Sequence, residues 1–493
     1  MKLWFERAYL AGAAGATVGR EDGVRSGVEV TVGADGRVAS VSVDVAEPRD
    51  PAVRCYAGLA LPGAQNAHSH AFHRLLRGRT HGDGGSFWTW RDVMYRAAAQ
   101  LTPENYFDLA CAVFAEMVAA GYTAVGEFHY VHHRPDGTPY PDHDMELALA
   151  QAAAAVGIRL TLLDTCYLAG GIAPDGTYLP LGGEQARFSD GSIEGFLDRH
   201  SRLALALDSL ARSQPAVGQL VTLGTAIHSV RAVPRETLPA FRELPGPLHV
   251  HLSEQPAENE ACLAAHGMSP TELLAEAGLL SPRLSAVHAT HLSAHDIELL
   301  SGAGVHIVMC PTTEADLADG IGPARALAHA GAVVALGSDQ HVVLDPLLEA
   351  RGLEAGERLA SGLGAVGFDA AGSGLAGQRG RFSPEELVAA LSEGGAGSLR
   401  PGAVTDSALV DAAPGLVLGG SGFAPGALAD YLVLDTGSVR TIGSLGVQAV
   451  LAATSADVRH VLVGGREVAR GGVHARLGSV AELYREALAH FEL

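Results

Sequence analysis

Between about residues 58 and 350, short apolar runs alternate with helical patterns, and this alternation constrains the fold more than any other feature of the chain. The runs are LALPGAQNA (59–67), TAVGEF (123–128), RLTLLD (159–164), LVTLGTAI (220–227), PLHVHL (247–252), LSAVHA (284–289), VHIVM (305–309) and AVVALGS (332–338). Strand–helix alternation is the signature of a parallel sheet, and eight such strands predict an α/β fold, a closed (β/α)8 TIM-like barrel. The stretch TPENYFDLACAVFAEMVAAG between the first two runs places Thr102 as a cap and Pro103 at the first helical position.

The flanks have a different period. Residues 2–57 (FERAYL, GVEVTVGADGRVASVSV) and about 414–470 (GLVLGG, DYLVLD, VQAVLAA, VRHVLVGGREV) alternate in polarity and carry Gly or Asp turns, as antiparallel strands do. The two ends are therefore predicted to share a small β-sandwich domain, 1–57 with 414–472, around a barrel of 58–400, followed by a C-terminal helix over 473–493. The Gly-rich SGLGAVGFDAAGSGLAGQRG (361–380) reads as a loop or linker. Its GLGAVG (362–367) matches G-x-G-x-x-G formally, but a helical pattern precedes it where a dinucleotide fold needs a strand.

Composition removes whole classes of function. A net charge of −21 disfavours nucleic acid and anionic membranes as partners, because both require a basic face. No uninterrupted apolar run reaches membrane-spanning length, and Glu6 and Arg7 stand where a signal peptide would have its apolar centre. Five scattered cysteines without a C-x-x-C argue against disulfides and thiolate zinc sites, and fit a reducing cytoplasm. Lys2 is the one lysine, so P-loop, Schiff-base and metal-bridging carbamyl-lysine chemistries are excluded.

Enzymes on this barrel work at the carboxyl ends of the strands. His68 and His70 end the first run in NAHSHAFHRLLRG, two residues apart and hence on one side of a strand. With 22 histidines in the chain, roughly one H-x-H is expected by chance, so the motif needs company. His251 with Glu254 ends the fifth run (HVHLSE), His288 the sixth (AVHATH) and Asp339 the eighth (VVALGSD). Singly, a strand-end histidine is a satisfied structural residue and Asp339 a helix cap. Jointly they supply nitrogen and carboxylate ligands for one ion, an open position for water and two spare acid/base groups. The cluster His129, His132 and His133 resembles a second metal site, but neighbouring imidazoles on a strand point apart.

This pattern resembles the amidohydrolase superfamily, in its mononuclear form with H-x-H, H-x-x-E, His and Asp after the first, fifth, sixth and eighth strands. Within it, NAHSHAFHR, GSFWTWRDVMY (85–95), GYTAVGEFHYVHH (121–133), TLLDTCY (161–167), HSVRAV (228–233) and MCPTTEADLADG (309–320) are similar to the formimidoylglutamate deiminase family of histidine degradation. The resemblance implies a cytoplasmic homodimer and one Zn2+ per chain, or another divalent metal, on His68, His70, His251 and Asp339. It implies zinc-activated water attacking the formimino carbon of N-formimino-L-glutamate to give N-formyl-L-glutamate and ammonia, with Glu254, His288 and Asp339 as catalytic groups. The dianionic amino-acid derivative would be held by His73, Arg91, Tyr130, His228 and Arg231, a fork of charge-assisted donors suited to carboxylates. His73 stands where the family often has Gln, and Gln340 where it usually has Ser. The alternatives are a zinc aminohydrolase of a purine-like or other small molecule and a non-enzymatic metal-binding barrel. The segment 166–192 is a candidate lid.

Overall fold

The computed structural model describes residues 1–10, 23–81, 87–364, 380–400 and 420–492. Outside them lie GLVLGG (415–420) apart from its last residue, most of the Gly-rich stretch 361–380 with the latter half of GLGAVG, and the domain boundary expected near 414.

The first four strands are β1 (Lys2–Tyr9), β2 (Val24–Val32), β3 (Val38–Ser42) and β4 (Val53–Pro62), and β5 (Ala64–Ser69), β6 (Tyr122–His129) and β7 (Arg159–Cys166) follow. After the short hairpin β8 (Gly171–Ile172) and β9 (Tyr178–Leu179) come β10 (Val221–Ile227), β11 (Leu248–Leu252), β12 (Leu284–His288), β13 (His306–Met309) and β14 (Val333–Leu336). The chain ends with β15 (Tyr431–Leu434), β16 (Val458–Val463), β17 (Arg466–Arg470) and β18 (Val473–His474), before a helix over Val480–Leu488.

β5, β6, β7 and β10 to β14 pair in that order, all parallel, as the eight apolar runs predict. The seam between β14 and β5 is shut by a parallel bridge from Ser69 to Asp339. Backbone N–H groups of Ser338 and Asp339 donate to the His68 carbonyl, each at 3.0 Å, and His70 N–H donates to the Asp339 carbonyl at 3.1 Å. The Asn66 amide donates to Ser338 Oγ at 2.7 Å and accepts from Ser338 N–H at 2.9 Å. Gly337 permits this closure: a Cβ there would stand 2.8 Å from His68 Cβ and 3.0 Å from Cys310 Sγ.

The helices α1 (Phe87–Ala99) and α2 (Pro103–Ala120) connect β5 to β6. α2 starts as its sequence predicts, with a reciprocal capping box between Thr102 and Asn105 and Pro103 in the first turn, and stops at Gly121 with φ 117°.

The two chain ends form a second eight-stranded sheet, ordered β18-β17-β16-β15-β4-β1-β2-β3. Val38 N–H donates to Ala427 at 2.9 Å and Ala429 N–H to Gly36 at 3.0 Å, so the sheet curls back near β3 around a core including Leu3, Phe5, Tyr56, Phe423 and Tyr431. Two boundaries differ from the sequence reading. Residues 59–62, expected to begin the first barrel strand, finish β4 in the end sheet, and the chain changes sheets at Gly63. The run from Leu59 to Ala67 is buried throughout, in one sheet and then the other, so apolarity carries no mark of the crossing. Residues 473–474, expected to open the last helix, pair with β17 instead.

Replacing Gly337 by Ala is expected to destabilise the protein by about 1–3 kcal/mol through overpacking at the seam, read as a lower urea midpoint with unchanged slope; an unaltered midpoint would show that the seam yields.

Candidate active site

His68 and His70 stand at the end of β5, His251 within β11, and Asp339 three residues beyond β14. His251 Nε2 lies 3.1 Å from His68 Nε2 and 3.4 Å from His70 Nε2. Asp339 Oδ1 lies 3.3 Å and 3.4 Å from the same two nitrogens. A tetrahedron with metal–ligand bonds of about 2.0–2.1 Å has edges of about 3.3–3.4 Å, so the four atoms are spaced as the corners of a zinc-class site.

Protonation supports the same conclusion. His70 Nδ1–H donates to the Phe128 carbonyl and His251 Nδ1–H to the His228 carbonyl, both at 2.9 Å. A carbonyl only accepts, so each Nε2 presents a lone pair to the centre. Burial lowers His70 and His251 well below the ordinary histidine range, and lowers His68 to about 4 against the pull of Asp339. Neutral imidazole lone pairs aimed at one another in a dry interior are mutually repulsive unless a cation lies between them, and the donor set therefore fits a divalent ion.

The backbone around this centre is strained. Ser253, His288, Ala289, Asp339 and His341 have φ between 42° and 67°, and they are five of the eight non-glycine residues with positive φ among those described. Such conformations cost about 1–3 kcal/mol each and persist where surrounding structure holds them.

His288 is not a member of the four-atom group. Its Nε2 is 3.7 Å from Glu254 Oε1 and its Nδ1 3.5 Å from Glu314 Oε1. Burial lowers its pKa, but Glu254, Glu314 and Asp339 outweigh this and push it up to about 10, making it an imidazolium between two carboxylates. Burial raises Glu254 above the ordinary glutamate range. Glu314 is a residue the sequence reading missed, although it stands in the quoted MCPTTEADLADG, because nothing in the one-dimensional pattern ties it to His288.

One cavity brings the remaining candidates together: His73, Arg91, Tyr130, His228 and Arg231 line it, along with His70, His251, Glu254, His288 and Asp339. His73 Nε2 is hydrogen-bonded to Tyr130 OH at 3.0 Å, and its ring lies 4.5 Å from that of His70. The His228 ring packs 4.4 Å from Tyr167 while its carbonyl orients His251. Arg231 Nε faces the buried Glu258 at 3.8 Å, and the Arg91 guanidinium lies over the Tyr95 ring. Gln340, by contrast, turns away from the cavity and donates to Asp316 Oδ2 at 2.9 Å.

Trp90, Met94, Tyr95, Tyr167, Phe188 and Leu317 also line the cavity and were not singled out as contacts from sequence. Phe188 comes from the segment 166–192, which packs as a cavity wall. Arg187 fixes it by donating to the carbonyls of His133, Ala98 and Leu101.

The histidines after β6 are closer together than strand geometry predicts. The chain leaves the strand at His129, so His132 turns back and donates from Nδ1 to Glu146 at 2.7 Å, with His129 Nε2 3.6 Å from the same oxygen. A guanidinium already supplies the positive charge there: Arg199 pairs with Glu146, Asp164 and Asp190 at 2.8–3.2 Å.

Comparison with known proteins places this geometry in context. Residues 59–405 match the model of the Amidohydrolase family. A formimidoylglutamate deiminase from Pseudomonas aeruginosa is 35% identical over 92% of this chain and 93% of its own length. A 5-methylthioadenosine/S-adenosylhomocysteine deaminase from Natronomonas pharaonis is 28% identical over 88% of this chain and 86% of its own. The crystal structure of an amidohydrolase from Brucella melitensis superposes with a TM-score of 0.81 at 28% identity, covering 99% of both chains.

Stripping divalent metal with a chelator is expected to lower the melting temperature, and added zinc at a hundredfold excess over its Kd to restore about 2.7 kcal/mol. His251→Ala should abolish that zinc response in the same thermal assay, whereas an undiminished response would remove His251 from the ligand set.

Proposed function

The chain belongs to the amidohydrolase family, and from that premise we propose that it is a metal-dependent deiminase converting N-formimino-L-glutamate to N-formyl-L-glutamate and ammonia, a step of histidine degradation. The observation that carries the reading is the shared cavity. Three of the four ligands, His70, His251 and Asp339, and the Glu254–His288 pair line the same enclosure as two arginines, Arg91 and Arg231. A purine-like substrate is uncharged and would engage neither guanidinium in a charge-assisted hydrogen bond. A glutamate derivative offers two carboxylates to them. The 35% identical Pseudomonas aeruginosa protein, a formimidoylglutamate deiminase, supports the same substrate.

His68, His70, His251 and Asp339 would hold the metal. When bound, a zinc-class ion supplies Lewis acidity and brings the pKa of a water molecule towards neutrality. Asp339, whose Oδ1 faces the ligand nitrogens, accepts a proton from the attacking water through its carboxylate. A C–O bond forms at the formimino carbon. Glu254, raised by burial, carries a proton to the nitrogen whose bond to that carbon breaks, and ammonia leaves. His288, held protonated between Glu254 and Glu314, is placed to orient the attacking water. Arg91 and Arg231 bind carboxylates, while Tyr130, oriented by His73, and His228 complete the wall beside the reacting carbon.

The deciding assay is ammonia release from N-formimino-L-glutamate compared with adenosine and guanine; turnover of the purines alone would overturn the assignment. Glu254→Gln should retain metal while kcat falls about 10²–10⁴-fold, and normal turnover would remove Glu254 from proton transfer. Arg91→Met and Arg231→Met should raise KM for the dicarboxylate by about tenfold or more each, with smaller changes in kcat.

A further inference from the structure

Behind two tyrosines of the cavity wall lies a side-chain amide that sets the direction of their hydroxyl protons. Gln185 lies buried in the turn Gly183–Phe188. Its Oε1 accepts the backbone N–H of Gly182 at 2.7 Å, which identifies the oxygen and so the nitrogen of the amide. The nitrogen donates to Tyr95 OH at 3.1 Å and to Tyr167 OH at 2.8 Å. Both amide protons are thereby used, and each phenol oxygen is the acceptor. The hydroxyl protons must then point elsewhere, and among the described residues neither hydroxyl has an acceptor. Tyr95 and Tyr167 line the cavity together with Arg91 and Arg231, which carry donors only.

We infer that Gln185 is a positioning residue that holds Tyr95 and Tyr167 as hydrogen-bond donors, so that with Arg91 and Arg231 they form an anion subsite selecting a terminal carboxylate over its amide. This rests on the dicarboxylate reading above and deepens it. A carboxylate presents only acceptor sites, enough for two guanidinium groups and two phenols. A carboxamide of the same shape would turn its NH2 group towards donors and leave at least one of them unpaired in a desolvated wall. The glutamine turns two otherwise ambivalent hydroxyls into donors of fixed sense, before any ligand arrives.

The test compares N-formimino-L-glutamate with N-formimino-L-glutamine in the metal-loaded wild type, in Gln185→Glu and in the double variant Tyr95→Phe/Tyr167→Phe, with glutarate binding measured by calorimetry alongside. The glutamate variant keeps the shape but accepts from both phenols, reversing their protons. The wild type should prefer the acid by about 100-fold or more in kcat/KM. Both variants should raise KM for the acid about tenfold or more, leave kcat within about twofold and lose most of the discrimination. Unchanged KM and discrimination in the double variant overturn the inference, and that variant decides alone if Gln185→Glu does not fold. If the wild type releases ammonia from neither compound, the proposed function fails, and glutarate then decides. A Kd raised about tenfold or more in the double variant sustains the subsite, and an unchanged Kd removes it.

Discussion

Four lone-pair donors converge on a point at the seam of the barrel, and the rest of the molecule is arranged around that constraint. The last and first strands of the parallel sheet meet through the His68 carbonyl, the Asn66 and Ser338 side chains, and the Ser69–Asp339 bridge. Three of the four ligands, His68, His70 and Asp339, therefore stand where the barrel closes, and His251 reaches them from β11. Closing the sheet brings those three side chains together. Without a cation this arrangement is costly, because neutral imidazole nitrogens face one another and a buried carboxylate at 3.1–3.4 Å.

Two polar layers beneath the centre hold it in register. Glu127 accepts from Ser69 Oγ and from the Ala71 backbone N–H, gripping the chain on either side of His70, while burial pushes its carboxyl up to about 8. Further out, burial would raise Asp164 and Glu146, yet Arg199 and neighbouring histidines hold both below the ordinary carboxylate range. Arg199 supplies, beside a second cluster of histidines and carboxylates, the positive charge that a metal would supply in the main site. The two clusters look alike in sequence and differ in whether the chain itself provides the cation.

The barrel was legible because period and length of apolar runs are one-dimensional properties. So was the helix α2, whose cap Thr102 and first-turn Pro103 are adjacent in the chain. His68 and His70 are linked by strand geometry alone, and the spacing of His251 and Asp339 from strand ends placed them at the same mouth. The crossing at Gly63 was hidden because both sheets bury the same run. Gln185 was hidden for another reason: its partners Tyr95 and Tyr167 are 90 and 18 residues away, and an amide in a turn has no pattern that announces its acceptors.

By itself, then, the sequence determined the class of fold and the kinds of ligand available. It did so through composition, periodicity and the placement of polar residues at strand ends, all of which act over a few residues or over the chain as a whole. It also excluded lysine-based chemistry outright, since Lys2 stands alone and lies in β1 of the end sheet. Only the tertiary structure decided which nitrogen of each histidine faces the centre, that His288 sits between two carboxylates, and that Arg91, Arg231, Tyr95 and Tyr167 share a wall. Those outcomes depend on hydrogen bonds and charges between residues distant in the chain, whose separation and orientation exist only once the seam between β5 and β14 has closed.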